Sequence, residues 1–360
     1  MGDYFEIDFL AVETKKSGDA IPLRYQVNGA RSIHVVDGGF TDTGTAIVEH
    51  IRRYYGNPSA IDRVIVTHPD RDHACGLQAV LEAFEVRELW MLRPWIHATE
   101  LVPQFQNYKS SDALARRLKE CYPYIAALEE IAVRRGIPIF EPFQGTRIGE
   151  FTVLAPSRTR YLQLVVDSEK TPESVEEAEK SVLASLLEDF ARKAVTFLKA
   201  LWGDEVFSAS ETSAENEMSV VQYATLSNTK ILLTGDAGRA ALAEAADYAP
   251  YAGLMLPGID RFQVPHHGSR RNVSTEILDR LLGPRLPENS VTAKFQAFIS
   301  SAKADEDHPR KAVERAMHHR GGRVYATEGV SLQTHGGAVP DRGWGAATPR
   351  PYPEDQEEEG

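Results

Sequence analysis

The stretch Val64-Ile65-Val66-Thr67-His68-Pro69-Asp70-Arg71-Asp72-His73 joins a β-branched apolar run to a dense group of potential metal ligands. The apolar run predicts a buried strand, and Pro69, which has no N–H to donate, ends its hydrogen-bonded ladder. We therefore expect the ligands on a loop at the end of a strand. Imidazole with carboxylate suits zinc, manganese or iron better than calcium, which prefers oxygen ligands alone. A solvated polar turn with two incidental histidines is the alternative interpretation.

The composition is that of a soluble globular protein. The 360 residues are 42% hydrophobic and 26% charged, which is enough to bury a sizeable core in one large domain or two ordinary ones. No apolar run has the length of a membrane span, and the acidic start of the chain lacks the apolar region of a signal peptide. With only two cysteines, Cys75 and Cys121, a reducing cytoplasm is the simplest location. We expect no membrane partner.

The net charge of −12 argues mildly against a broad nucleic-acid footprint, which is usually basic. The acidic residues are unevenly distributed, however, and concentrate in residues 165–217 and 354–359. The net charge therefore says little about the electrostatic field at the site.

The order of predicted elements indicates one domain with an insertion. Antiparallel strands come first, and strand–helix units follow, over residues 1–335. Residues 157–215 interrupt this rhythm as a largely helical insertion, in which Pro172 to about Trp202 has the pattern of one amphipathic helix. Residues 336–360 are rich in Gly, Pro and acid, and they predict a disordered tail.

Four places share one feature, an apolar strand that ends in metal-ligand residues. They are the His68–His73 loop, Asp236, the pair His266 and His267, and more weakly Asp37. In open α/β sheets the loops at strand ends converge on one site. Taken alone, Asp236 could be a turn residue and the histidine pair could lie on the surface. Together these places predict one polynuclear metal site.

These motifs resemble those of the metallo-β-lactamase fold. His68-Pro69-Asp70-Arg71-Asp72-His73 resembles its first motif, Thr234-Gly235-Asp236 the segment with its bridging aspartate, and Val264-Pro265-His266-His267-Gly268-Ser269 its late histidine motif. Within the superfamily, the chain looks most similar to the hydrolase domain of ComEC-type competence proteins and their soluble stand-alone relatives. The resemblance implies the α/β (α+β) class and an αββα four-layer sandwich, with two mixed sheets face to face and helices outside.

The resemblance also implies a dinuclear hydrolase with two divalent metal ions, zinc or manganese. Asp236 would bridge the two ions. Asp72, His73 and His267 would hold one, and His68 with Asp70 the other. A bridging hydroxide would attack the substrate. The residues expected to take part in catalysis are Asp70, Asp72, Asp236, His266 and His308.

The chain departs from the family pattern in two respects. Asp70 stands where the common first motif has histidine, and His97 is the only candidate for a third-motif histidine between residues 90 and 155. The site near His68 should thus be richer in oxygen and weaker, which shifts its preference toward manganese. Of the adjacent pair, we favour His267 as a ligand and His266 as a substrate-facing group, and the reverse stays open.

Basic residues around the late motifs suit phosphate oxygens, although an ordinary solvated surface has the same composition. They are Arg261, Arg270, Arg271, Lys303, Arg310 and Lys311. We expect a phosphodiester substrate, with DNA or RNA suggested by the family likeness, and substrate contacts from Ser269, Arg270, Lys303 and His308. A lactonase or β-lactamase-like hydrolase of a small cyclic ester or amide is the alternative, and a non-catalytic metal-binding module is a third. The sequence leaves the oligomeric state open.

Overall fold

The computed structural model describes residues 2–172, 197–288 and 293–358. Strands form where β-branched and aromatic residues alternate or run together, as their propensities predict. In chain order the strands are β1 (Tyr4–Phe9), β2 (Ala20–Val27), β3 (Ala30–Gly38), β4 (Ala60–Ile65), β5 (Glu85–Trp90), β6 (Ile139–Phe140), β7 (Arg147–Ile148), β8 (Phe151–Ala155), β9 (Phe197–Lys199), β10 (Val221–Leu226), β11 (Thr229–Leu233), β12 (Arg261–Gln263), β13 (Phe295–Ile299), β14 (Gly322–Ala326), β15 (Leu332–Gly336) and β16 (Asp355–Glu357).

The helices mostly follow strands and bury one apolar face, as amphipathic segments do. In chain order they are α1 (Thr41–Tyr54), α2 (Arg71–Ala74), α3 (Leu77–Ala83), α4 (Ala98–Leu101), α5 (Ser111–Cys121), α6 (Pro123–Arg135), α7 (Arg158–Asp167), α8 (Ala214–Glu217), α9 (Arg239–Tyr248), α10 (Thr275–Leu282) and α11 (Lys311–His319). In the described parts of the chain, no helix has the length and apolar character needed to cross a membrane.

The strands form two large mixed sheets. The first has the order β15-β1-β2-β3-β4-β5-β6, and the second has the order β14-β13-β12-β11-β10-β8-β7. In the first sheet β3, β4, β5 and β6 are parallel neighbours. In the second sheet β11, β12, β13 and β14 are parallel neighbours. The remaining pairs in both sheets are antiparallel.

The two sheets pack face to face. Phe9 of β1 stacks on Phe298 of β13, with ring centroids 4.8 Å apart and planes 3° apart. Tyr25 of β2 meets Phe151 of β8 at 6.4 Å. Burial of such aromatic side chains is the main source of stability for a sandwich. With helices on the outer faces, this is the expected sandwich, and the predicted fold class is confirmed.

The carboxyl ends of the parallel strands in both sheets meet at one edge of the sandwich. There β3 ends at Gly38 and β4 at Ile65, while β11 ends at Leu233 and β12 at Gln263. Each of these ends leads into one of the predicted ligand segments. The topology therefore assembles the site from distant parts of the chain.

The prediction of one helix from Pro172 to about Trp202 is wrong at its end. Residues 173–196 lie outside the described residues, but Phe197–Lys199 forms the short strand β9, which pairs antiparallel with β16. An amphipathic pattern of a few residues does not distinguish a terminal helical turn from a short strand when a partner strand is supplied from far along the chain. The boundaries of the insertion, 157–215, stay a prediction.

The predicted disorder of the tail is also wrong for residues 337–358, which pack against the body of the protein. Arg342 is buried between Glu6 and Asp8, at 3.0 and 2.8 Å. Gln356 and Glu357 are almost completely buried. Composition alone favoured disorder. In the fold, however, Arg342 pairs with buried carboxylates, Glu357 accepts hydrogen bonds from backbone N–H groups of α11, and Asp355 pairs with Lys311. The division of the chain at residue 335 stays a prediction.

Candidate metal centre

Four side chains converge at the edge where the parallel strands end. Each offers one ligand atom, and these atoms of Asp72, His73, Asp236 and His267 all lie within 4.8 Å of one another. His73 Nε2 is 3.3 Å from Asp236 Oδ1 and 3.9 Å from Asp72 Oδ2. His267 Nε2 is 3.6 Å from Asp72 Oδ2 and 3.7 Å from Asp236 Oδ2. We call these four residues the ligand cluster.

In three buried histidines, the ring atom Nδ1 lies within hydrogen-bond distance of an oxygen atom, and Nε2 points into the site. His73 Nδ1 donates to Asp37 Oδ2 at 2.8 Å, and His267 Nδ1 donates to the carbonyl oxygen of Ser300 at 2.8 Å. His68 Nδ1 is 3.0 Å from Thr67 Oγ1. A hydrogen bond of this kind fixes the tautomer with a free electron pair on Nε2, which is the form that binds a metal.

The inward atoms fit a metal ion. Nε2 of His68, His73 and His267 and Oδ1 of Asp236 are buried and have no hydrogen-bond partner among the described residues. Leaving such groups unsatisfied costs about 1–3 kcal/mol each. A divalent cation bound by two imidazoles and two carboxylates would satisfy the ligand cluster and neutralise its charge. This donor set is common for zinc and also suits manganese.

The electrostatics of His68 and Asp236 agree directly with ligand roles. Burial lowers the pKa of His68 well below its ordinary value, and the neighbouring His73 lowers it further, so its imidazole is neutral. Burial by itself would raise the pKa of Asp236, but the surrounding histidines, His73 first, lower it well below its ordinary value. Asp236 is therefore ionised. Neutral imidazole and carboxylate are the protonation states that metal binding requires. Burial by itself would lower the pKa of His73 and of His267, but neighbouring carboxylates, Asp236 first, raise both, that of His267 to about 9. A metal ion bound there would therefore displace a proton from each imidazole.

The backbone at the histidine pair is strained. His266 and His267 both have positive φ, 47° and 55°, a region that residues other than glycine rarely adopt. Such a conformation costs about 1–3 kcal/mol per residue and persists where the surroundings enforce it. Here it turns both adjacent imidazoles toward Asp236, whose Oδ2 is 3.7 Å from Nε2 of each.

His68 lies beside the ligand cluster at the predicted second metal position, which we call the half-site near His68 and whose occupation by a metal stays a prediction. His68 Nε2 is 3.6 Å from Asp236 Oδ2, so Asp236 lies between this half-site and the ligand cluster, as a bridging ligand would. His266 reaches the same carboxylate, and its Nδ1 lies 2.9 Å from Asn272 Oδ1. Whether His266 is a ligand or faces the substrate stays open.

The structure does not bring Asp70 to the ligand cluster. Its carboxylate Oδ1 is 2.5 Å from the Lys170 ammonium, and both side chains are partly exposed. Burial raises the pKa of Asp70, and Lys170 opposes this shift. The half-site near His68 is thus poorer in ligands than expected, and the role of Asp70 stays a prediction.

A cleft of about 320 Å³ opens beside His266, and we call it the basic cleft. It is lined by Ser208, His266, Ser269, Arg270, Arg271, Asp307, His308 and Arg310. Three of the four predicted substrate-binding residues, Ser269, Arg270 and His308, line this cleft, and their role in substrate binding stays a prediction. Lys303 does not line the basic cleft and is exposed. Asp305, held by Ser17 N at 2.9 Å, lies 3.4 Å from His308 Nδ1.

The sequence did not predict several of the contacts that support the site. Asn216 and Asn272 orient His266, at 3.2 and 2.9 Å from its Nδ1. Gln263 donates to Asp19 Oδ2, and Asp19 forms a second candidate ligand group with Asp37 and His73. An isolated amide carries no spacing signal, so only the fold reveals these contacts. His97, the doubtful third-motif residue, pairs instead with Glu141 at 3.0 Å.

Comparison with known proteins agrees with this description. The family model of the metallo-beta-lactamase superfamily matches residues 27–156, which include the first ligand loop. No curated protein matches the chain. The match covers little more than a third of the chain, and together with the two-sheet sandwich it supports the metallo-β-lactamase fold. The likeness to ComEC-type proteins stays a prediction.

Solved structures share low similarity with the chain. The hydrolase AbOPH of the β-lactamase superfamily is 11% identical, with a TM-score of 0.28, over 61% of this chain and 56% of AbOPH. A β-lactamase domain protein from Burkholderia ambifaria is 15% identical, with a TM-score of 0.31, over 73% of this chain and 68% of its own. A metallo-β-lactamase from Hirschia baltica is 14% identical, with a TM-score of 0.23, over 43% of this chain and 57% of its own. This chain therefore spans little more than half the length of AbOPH, and such scores carry no argument about activity.

Proposed function

We propose that this protein is a metal-dependent hydrolase of phosphodiesters, with DNA or RNA as candidate substrates. The observation that supports the substrate class is the position of the basic cleft, which opens directly beside the metal ligands. Arg270, Arg271 and Arg310 line it, and Asp307 is its only acidic lining residue among those described. Guanidinium groups bind phosphate oxygens in a fixed fork geometry, which favours a phosphate ester over a neutral substrate.

In this proposal Asp72, His73, Asp236 and His267 would hold a divalent metal, and His68 would take part in a second site. A bound metal would supply a nucleophilic hydroxide near neutral pH and an electrophile for the phosphoryl oxygen. Asp37 and Ser300 would keep the imidazoles of His73 and His267 in the binding tautomer.

The arginines would position the substrate. Arg310 Nη2 is 3.1 Å from Asp307 Oδ1, and Arg270 Nη1 donates to the Glu358 carbonyl oxygen at 3.1 Å. Anchored guanidinium groups lose little further freedom when they bind an anion. They would hold the phosphate next to Asp236 and the reacting atoms, which is the positioning that phosphoryl transfer depends on.

The alternative, a hydrolase of small cyclic esters or amides, needs an apolar pocket at the metal centre. An apolar cavity does lie beside His68, between Met91, Leu92, Tyr161 and Met218, but its volume is only about 10 Å³. That is room for about one water molecule. Residues 173–196 lie outside the described residues. The cavity therefore gives the alternative little support.

The test is hydrolysis of single-stranded DNA, RNA and bis(p-nitrophenyl) phosphate by purified protein with manganese or zinc. We expect cleavage of at least one, with Asp236→Asn losing at least ~100-fold in rate and the exposed Asp247→Asn serving as the matched control. A parallel screen with lactones and nitrocefin addresses the alternative. The proposal fails if wild type cleaves no phosphodiester, or if Asp236→Asn is as active as Asp247→Asn.

A further inference from the structure

The last described residues form an ordered acidic segment next to the basic cleft. We call residues 352–358 the C-terminal strap. Its strand β16 pairs with β9, with Gln356 opposite Leu198. The buried Gln356 side chain accepts a hydrogen bond from Val206 N at 2.9 Å. These contacts fix the strap in one register against the body of the protein.

Two carboxylates of the C-terminal strap occupy a strongly anion-attracting position. The buried carboxylate of Glu357 accepts hydrogen bonds from Lys311 N at 2.8 Å and Ala312 N at 3.1 Å, in the first turn of α11. Both carboxylate oxygens of Asp355 are 2.8 Å from the Lys311 ammonium. A helix start with its free N–H groups and a lysine is the kind of place where a phosphate also binds.

The same helix start adjoins the basic cleft. Residues His308 and Arg310, which line that cleft, immediately precede α11. A neighbouring cleft of about 480 Å³ shares Asp307, His308 and Arg310 with it, and includes Lys311 and the strap residue Glu357 in a mainly acidic lining. Arg270, which lines the basic cleft, also contacts the strap, because it donates a hydrogen bond to the Glu358 carbonyl oxygen at 3.1 Å. The C-terminal strap thus covers the outward continuation of the surface that would bind phosphate.

We propose that the C-terminal strap is a selectivity element, which makes the site favour short phosphodiesters over long nucleic-acid strands. The inference rests on the phosphodiester substrate class proposed above. A strand that leaves the basic cleft along α11 would meet carboxylates in place of the cations and N–H groups that the strap already occupies. A short substrate ends before this point and is unaffected.

Charge neutralisation of the exposed part of the strap tests the proposal without removing its buried anchors. The triple variant Glu354→Gln, Asp355→Asn, Glu358→Gln keeps Gln356 and the capping Glu357. The matched control is Glu49→Gln, Glu85→Gln, Glu130→Gln. These three exposed glutamates lie on α1, β5 and α6, and their side chains form no hydrogen bond or ion pair with the described residues. Thermal melting verifies that each variant is folded.

The primary measurement is equilibrium binding of a fluorescently labelled single-stranded oligonucleotide of about 30 nucleotides, in EDTA. Because surface charge acts over about a Debye length, we expect the strap variant to bind about 3- to 10-fold more tightly than wild type at about 50 mM salt. We expect the gain to shrink as salt rises. In the metal-loaded protein, kcat/KM for bis(p-nitrophenyl) phosphate should stay at the wild-type value.

Equal oligonucleotide affinity of the strap variant and the control variant would overturn the proposal. A gain of the same size in kcat/KM for the small diester would also overturn it, because the strap would then act on the site itself. Binding in EDTA does not depend on catalysis. A change in binding with no cleavage by wild type would contradict the proposed function, and would show that the strap excludes nucleic-acid strands without selecting a substrate.

Discussion

Asp37 supports His73 from behind, with Oδ2 2.8 Å from Nδ1, and both side chains are fully buried. The same carboxylate accepts hydrogen bonds from Thr67 N and Thr67 Oγ1, at 2.8 and 2.6 Å. Thr67 in turn contacts His68. One carboxylate therefore orients His73, a candidate ligand in the ligand cluster, and, through Thr67, His68 beside it.

Asp37→Asn should weaken metal binding about 10- to 100-fold, the usual effect of losing a carboxylate behind a ligating imidazole. The Asn side chain would also place an N–H donor beside Thr67 N, Thr67 Oγ1 and His73 Nδ1, the three groups that donate to the Asp37 carboxylate. Competition against a fluorescent chelator gives the affinity, and the exposed Asp42→Asn on α1 is the control. An Asp37→Asn protein that is folded and binds metal as tightly as wild type would refute the positioning role.

Lys170 should limit loading of the half-site near His68, because its ammonium pairs with Asp70, 2.5 Å away. Lys170→Met frees that carboxylate, so we expect the second equivalent of manganese to bind about 10-fold more tightly. Isothermal titration calorimetry resolves the two equivalents, and the exposed Lys15→Met is the control. Identical titrations for Lys170→Met and Lys15→Met would rule this out.

Arg271→Ala should raise KM for a phosphodiester with little change in kcat. Arg271 is exposed at the basic cleft, and its side chain has no recorded partner among the described residues. An exposed charge of this kind contributes modestly, so we expect a 3- to 10-fold increase, or roughly 1 kcal/mol. Steady-state kinetics give KM for this variant and for the control Arg323→Ala, which changes an exposed arginine on β14. Equal KM values in the two variants would exclude a substrate contact.

The network around Glu205 should make stability depend on pH in the acid range. Burial by itself would raise the pKa of Glu205, but hydrogen bonds from His319 and Arg320 lower it to about 2. A lowered folded-state pKa adds stability that is complete above the ordinary value of 4.5 and is lost as the pH falls toward 2.

Glu205→Gln should therefore reduce the free energy of unfolding at neutral pH by on the order of 2 kcal/mol. The difference from wild type should shrink as the pH approaches ~3. Urea titrations at several pH values measure this, with the exposed Glu130→Gln as control. A difference that does not change with pH would show that the network acts without the charge of Glu205.

The sequence was most informative where one local pattern carried both the strand and the chemistry. The apolar run before His68, the Gly235-Asp236 segment and the His266-His267 pair all predicted strand ends with ligands, and the fold brings them together. Gly235 has a φ of 50°, and a Cβ there would lie 2.8 Å from Thr67 Oγ1, so the glycine permits the approach of the two ligand loops.

What the sequence did not predict depends on contacts between distant residues. The Asp70–Lys170 pair joins residues 100 positions apart, and neither residue carries a signal for the other. The packing of the tail could not be predicted for the same reason. Its acidic composition indicates disorder unless its partners elsewhere in the chain are known. Lys311 and Arg270 contact Asp355 and the Glu358 carbonyl oxygen of the tail only once the sandwich has formed. In the same way, Arg342 of the tail pairs with Glu6 and Asp8 only in the folded chain.

The metal content of the purified protein tests the central claim most directly, namely that Asp72, His73, Asp236 and His267 bind a divalent metal. The measurement is elemental analysis after loading with manganese or zinc and exhaustive dialysis. We predict at least one tightly bound ion per chain in wild type, and loss of that ion in Asp236→Asn and in His267→Ala. Wild-type protein that retains no metal, or variants that retain as much as wild type, would contradict the account.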